Sequence, residues 1–175
     1  MARRNTRELI LATSLELFKR FLARFRPLID IPGGMLLHSE DLWFQLHLSF
    51  ELKGEFRFLY RNLADLTARI PDLNRAMRGL LMRERKAAHN LLSGLEQAGA
   101  LTIGREQKEM LTDTILLHLT YWIPFADLLR PGGLDDSRAQ VAAFARVMLM
   151  VTPWLREPEQ SQFRSLADEY LRHSA

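Results

Sequence analysis

Asn5-Thr6-Arg7-Glu8-Leu9-Ile10-Leu11-Ala12-Thr13-Ser14-Leu15-Glu16-Leu17-Phe18-Lys19-Arg20-Phe21-Leu22-Ala23-Arg24-Phe25-Arg26-Pro27-Leu28-Ile29 is the stretch that decides the fold class. Leu11, Leu15, Phe18, Leu22, Phe25 and Ile29 recur at alternating steps of four and three, which is one face of an α-helix. Asn5 and Glu8 have capping-box spacing, in which two side chains satisfy orphan backbone N–H groups at a helix start. The unbroken stripe predicts a single helix to about Arg26, bent or ended by Pro27. It leaves no room for a turn at Lys19-Arg20.

The same period continues downstream. Pro32-Gly33-Gly34 reads as a loop, and Ser39 as an N-cap with Glu40 and Asp41 favourably placed in the first turn. Leu42, Leu46 and Phe50 carry the next helix towards a stop at Gly54. Phe56, Leu59, Tyr60, Leu63 and Leu66 mark another, ending before Pro71. Asp72 opens a long amphipathic helix through Leu73, Met77, Leu80, Leu91 and Leu95, with Gly99 as its C-terminal cap. A further helix begins at about Arg105. Pro131-Gly132-Gly133 separates it from one through Val141, Phe144 and Met148, and Phe163, Ala167 and Tyr170 define the last. No stretch alternates with period two. The expected fold is all-α, a multi-helix bundle.

Two segments, 111–129 and 141–155, are apolar on nearly every side. Such a helix is either central or packed on a partner, and a domain of 175 residues has room for one central helix. A symmetric pairing of these two helices in a homodimer is therefore expected. The interface residues would be Ile115, Leu119, Ile123, Val141, Phe144, Met148 and Val151.

Composition narrows the function classes. Apolar residues make up 47% of the chain, which is globular, and there is no cysteine for disulfides or thiolate metal sites. The N-terminal residues lack the apolar core of a signal peptide, and no run approaches the roughly 20 apolar residues of a bilayer span. A cytoplasmic protein without membrane contact is expected. Residues 1–26 carry Arg3, Arg4, Arg7, Lys19, Arg20, Arg24 and Arg26 against Glu8 and Glu16. That is a local charge of +5 within a total of +3, so the rest of the chain is −2. Arg3, Arg4 and Arg7 would attract phosphate in a salt-dependent way.

The first helix, with its Thr-Arg pair, Ile-Leu pair, small residue and terminal Leu-Phe, resembles the first helix of TetR-type (tetracycline-repressor-like) regulators. Phe21 to Leu28 resembles the helix by which such proteins leave the DNA-reading head and enter the effector domain. Asp41-Leu42-Trp43-Phe44, Glu55 to Leu63 and Leu119-Thr120-Tyr121-Trp122 resemble an aromatic-rich proteobacterial subgroup. The recognition helix and the Tyr-x-x-Phe element expected before the effector domain do not occur between Phe18 and Phe25. The resemblance thus implies that residues 1–20 are a remnant of the N-terminal DNA-binding head. Residues 21–175 would form the effector-binding and dimerisation domain. It further implies a transcriptional repressor, a homodimer that meets operator DNA through a helix-turn-helix head largely missing here. Its effector would be an apolar or amphipathic small molecule. The other class in view is a headless all-α dimeric interaction or lipid-binding protein.

Candidate chemistry is sparse. The histidines show no H-E-x-x-H spacing, and His47 with Glu51 lacks a third metal ligand. Ser93-Gly94 is no nucleophile elbow, and a chain without strands has no strand-borne phosphate loop. Neither enzyme, metal site nor cofactor is expected. Ligand sites between bundle helices are mostly apolar with a few polar groups. The aromatic-rich set Trp43, His47, Phe50, Tyr60, Met77, His118, Tyr121, Trp122 and Phe125 fits such a pocket, with the histidines and tyrosines as the polar groups.

Overall fold

Helices follow the apolar spacing through nearly the whole computed structural model. It describes the backbone of residues 2–34, 37–129 and 136–173, and side chains within 12–34, 37–129 and 138–172. In chain order, α1 spans Ala2–Ile29, α2 Ser39–Glu55, α3 Arg57–Arg61, α4 Leu63–Arg69 and α5 Pro71–Gln97. Then come α6 at Arg105–Leu129, α7 at Asp136–Val151, a 3-10 turn at Thr152–Trp154, and α8 at Glu159–His173. The only extended pairing among the described residues is an isolated bridge between Leu101 and Leu155. The all-α expectation holds.

α1 passes through Lys19-Arg20 without a break and continues past Pro27 to Ile29. Pro27 lacks only the N–H that would reach Ala23, on the exposed side of the helix, so the last turn survives. Its buried face is Ser14, Phe18, Phe21, Phe25 and Ile29. Phe21 stacks on Phe25 with centroids 5.0 Å apart and meets the edges of Phe56 at 5.3 Å and Tyr60 at 5.7 Å. The boundary expected between residues 20 and 21 therefore falls inside one continuous helix. The side chains of Arg3, Arg4 and Arg7 lie outside those described.

Several ends differ from expectation by a residue or a turn. Ser39 is the first helical residue of α2 rather than its cap. His38 caps it, and the His38 N–H donates to Asp41 Oδ2 at 2.7 Å. The helix expected from Phe56 to Leu66 is two short ones, because the chain turns at Asn62, whose amide donates to Phe58 O at 2.9 Å. Pro71 rather than Asp72 opens α5, at the first position, where its missing N–H has no helical partner anyway. At the other end Gly99, with φ of 77°, closes a Schellman motif. Ala100 N donates to Leu95 O at 2.9 Å and Gly99 N to Glu96 O at 3.0 Å. The Pro131-Gly132-Gly133 loop falls outside the described residues.

α6 packs against α5, α3, α2 and α7, while α1 lies on α2 and α5, and α8 packs on α7. Ion pairs tie neighbours together at the surface. Arg24 of α1 engages Glu55 of α2, Arg61 of α3 forks onto Asp127 of α6 at 2.6 and 2.9 Å, and Arg85 of α5 bridges Glu109 and Asp113. These pairs are solvent-exposed and set register more than stability.

Candidate functional site

Where α1 ends against α2, α5 and α6, the core contains a cavity of about 30 Å³. Leu42, Leu46, Leu91, Ile115 and Leu119 give it apolar walls, and Gln45, Ser49 and Glu84 are its polar groups. The volume is about that of one water molecule. Ile29 and Ala87 line it on one side, and both also line a much wider surface groove of about 750 Å³. That groove runs along Arg26 to Gly33 and across Arg83 and Lys86 of α5. Only the Ile29 and Ala87 side chains are common to both spaces.

The spacing of the buried faces explains Glu84. It falls on the apolar stripe of α5, one turn beyond Leu80 and two turns before Leu91, so the helix carries it inward. Lys53 does the same on α2, following Leu42, Leu46 and Ser49. Lys53 is fully buried and Glu84 is 4% exposed, with Nζ to Oε1 at 2.5 Å. Lys53 Nζ also donates to Leu119 O at 3.3 Å and lies over the rings of Phe25 and Tyr60 at 5.3 and 5.1 Å. Burial lowers the Lys53 pKa from its ordinary value, and the Glu84 charge opposes that shift. Burial, then Glu84, push the Tyr60 phenol well above its usual range. Tyr60 Oη and Glu84 Oε2 have no hydrogen-bond partner among the described residues. One charged pair thus joins α2 to α5 and touches α1, α3 and α6.

Beside the cavity, on the adjoining faces of α2 and α6, aromatic rings gather around Phe144 of α7. Trp43 stacks on His47 at 5.2 Å, and both present their rings edge-on to Phe144 at 6.1 and 5.9 Å. Phe50 touches Phe144, His118 and Trp122 at 6.0, 6.2 and 5.8 Å, and Tyr170 of α8 reaches Phe144 at 4.9 Å. His118 Nε2 donates to Ala143 O at 3.0 Å, which places the proton on Nε2. Burial, more than the Arg146 charge, lowers the His118 pKa despite that bond.

The opposite face of α6 is bare. Leu117, Tyr121, Phe125 and Leu128 follow one another on it and are 60%, 50%, 50% and 81% exposed, and Leu149 of α7 is also exposed.

A family model described as a bacterial transcriptional repressor of the TetR type matches residues 20–163. The chain belongs to the TetR family. A TetR-family transcriptional regulator from Marinobacter aquaeolei VT8 has the same fold at a TM-score of 0.77 and 20% identity, over 89% of this chain and 74% of that one. No curated protein matches significantly. This TetR-family protein is therefore a transcriptional regulator, and its described helices include none long and apolar enough to cross a membrane. No group of metal-ligating side chains occurs among the described residues.

In this TetR-family chain the residues expected at a pocket separate into three places. Trp43, His47, Phe50, His118 and Trp122 converge in the aromatic cluster. Tyr60 and Met77 are buried elsewhere in the core, Tyr60 against Phe21 and Lys53. Tyr121 and Phe125 are half exposed on the outer side of α6 and make no ring contact with the others among the described residues, although helical spacing sets them close to the side that carries His118 and Trp122. The residues expected at a dimer interface need a larger correction. Ile115, Leu119, Ile123, Phe144, Met148 and Val151 are buried within the protomer and Val141 is half-buried, so a second copy cannot reach the six. Ile115 and Leu119 instead wall the cavity. His47 pairs with Glu51 at 3.3 Å and with no third ligand. Lys53 and Glu84 were the residues sequence reasoning missed, although a charge standing on an apolar stripe was the available signal.

Proposed function

We propose that this TetR-family regulator is a ligand-responsive repressor working as a homodimer, with the cavity beneath α1 as its effector site. The observation that carries this is the position of Ile29. It is the last residue of α1, it is buried, and it walls both the cavity and the groove. At about 30 Å³ the cavity admits no organic molecule as it stands. Occupancy must move a wall, and Ile29 is the wall at a helix end. Displacing it tilts α1, which couples the cavity to whatever α1 carries. The aromatic cluster of Trp43, His47, Phe50, His118 and Trp122 would border an enlarged site. Residues 1–20 are read as a remnant of the DNA-reading head and 21–175 as the effector and dimerisation domain, a division supported by the family match beginning at residue 20. Operator DNA is then met through the head, with Arg3, Arg4 and Arg7 attracting phosphates.

Dimerisation is assigned to the outer face of α6 with the exposed edge of α7. A contiguous apolar stripe of this kind marks an interaction surface, and a stripe on one helix can meet its own copy about a two-fold axis.

A small-molecule panel scored by thermal shift tests the effector site. A hit should stabilise the protein, change hydrogen exchange across residues 14–29, and lose both effects in Ser49→Leu, which fills the cavity. A bound compound that leaves exchange in α1 unchanged would remove the coupling.

A further inference from the structure

Building on the effector-site reading, we infer that the ligand is an amphipathic anion, its charged head held in the surface groove and its apolar body directed past Ile29 and Ala87 into the core. The groove and the cavity lie on either side of those two side chains, so displacing Ile29 would join them into one path from solvent to the interior. Its two ends differ in charge. Arg26, Arg83 and Lys86 line the outer end against Asp30 alone, a local charge of +2. None of the three cations has an ion-pair partner among the described residues, as is also true of Arg78 on α5, while Arg24, Arg61, Arg75 and Arg85 are paired. Unpaired guanidinium and ammonium groups around a concave surface are suited to a carboxylate or phosphate.

The inner end excludes such a head. Glu84 lines the cavity, is nearly fully buried, and its Oε2 has no hydrogen-bond partner. A second negative charge there would face Glu84 in a low-dielectric site whose one cation, Lys53, is already paired with that carboxylate. Apart from Gln45 and Ser49 the remaining walls are aliphatic, so the inner part of the ligand is mainly hydrocarbon and can carry a hydrogen-bond donor. The groove, at about 750 Å³, falls in the size range of small-molecule sites, and the cavity supplies the direction in which the site deepens. Cations outside and a carboxylate inside fix the ligand's orientation.

Dodecanoate and dodecanol, alike in body and different in head, are the probes. Titration calorimetry should show dodecanoate binding more tightly than dodecanol, with affinity falling as salt is raised. Arg83→Gln and Lys86→Gln, both at exposed positions, should each weaken dodecanoate about tenfold through loss of a charged hydrogen bond and leave dodecanol unchanged. Ser49→Leu should weaken both probes. Equal affinity for the two probes, or dodecanoate binding indifferent to Arg83→Gln and Lys86→Gln, overturns the inference while the effector site stands. Binding of both probes that Ser49→Leu leaves untouched overturns the effector site, and the inference with it. Failure of carboxylates from eight to sixteen carbons to bind also rejects the inference. So does a groove whose two variants abolish duplex-DNA binding instead.

Discussion

Lys53 and Glu84 show how much rests on two side chains. Each stands where its helix needs an apolar residue, and each is tolerable in the core because the other is 2.5 Å away. The pair is not a source of net stability in itself, since desolvating two ions offsets most of their attraction. Removing one partner is different. Lys53→Met should lower unfolding stability by about 3–5 kcal/mol, because Glu84 is left buried without its counter-charge. Lys53→Met with Glu84→Met should recover most of that loss. Urea denaturation of the three proteins decides it. If the single variant loses under about 1 kcal/mol, the site is wetter than the packing indicates. Gln45 adds a quieter contact at this junction, donating to the backbone carbonyl of Leu28 near the end of α1. The junction is thus tied by polar bonds to the helix whose movement the proposed response requires.

At the scale of elements, the seam between α6 and α7 depends on protonation. His118 of α6 donates from Nε2 to Ala143 O of α7, and burial holds its pKa below the ordinary value of about 6.5. The unfolded chain therefore takes up a proton at a higher pH than the folded one. Stability from this group is complete above about pH 6.5 and declines as pH falls through the lowered folded value. Thermal melts of the wild type should show a lower midpoint at pH 5.5 than at pH 7.5, and His118→Gln should flatten that difference. An equal slope in the variant would assign the acid sensitivity to another group. The helices themselves were legible because their apolar steps of three and four are local. The turn at Asn62 was not, since Phe56 to Leu66 keeps helical phase across it. Nor was the His38 cap, where the Asp41 carboxylate accepts from the His38 backbone N–H and Ser39 is already helical.

For the whole molecule the decisive feature is that α6 has two apolar faces and only one interior to fill. Leu111, Ile115, Leu119 and Ile123 take it, leaving Leu117, Tyr121, Phe125 and Leu128 outside. Leu117→Glu with Tyr121→Glu should convert a sedimenting dimer to monomer at micromolar concentration. Its circular dichroism should be unchanged, because surface substitutions shift stability by about 0.5 kcal/mol or less. A monomeric wild type would remove the interface.

The sequence by itself determined that this chain is helical throughout, where most helices begin and end, and that its resemblance is to TetR-type regulators. The helices and their ends follow from spacing, capping and turn chemistry within a few residues, while the resemblance rests on the motifs of the first helix and the aromatic segments. Only the tertiary structure decided which apolar face of α6 is inside, that Phe144 is the hub of an aromatic core rather than an interface residue, and that Lys53 meets Glu84. Each of these depends on contacts between residues tens of positions apart. Local periodicity gives a helix its greasy sides, but the neighbours that pack on it choose which side is buried.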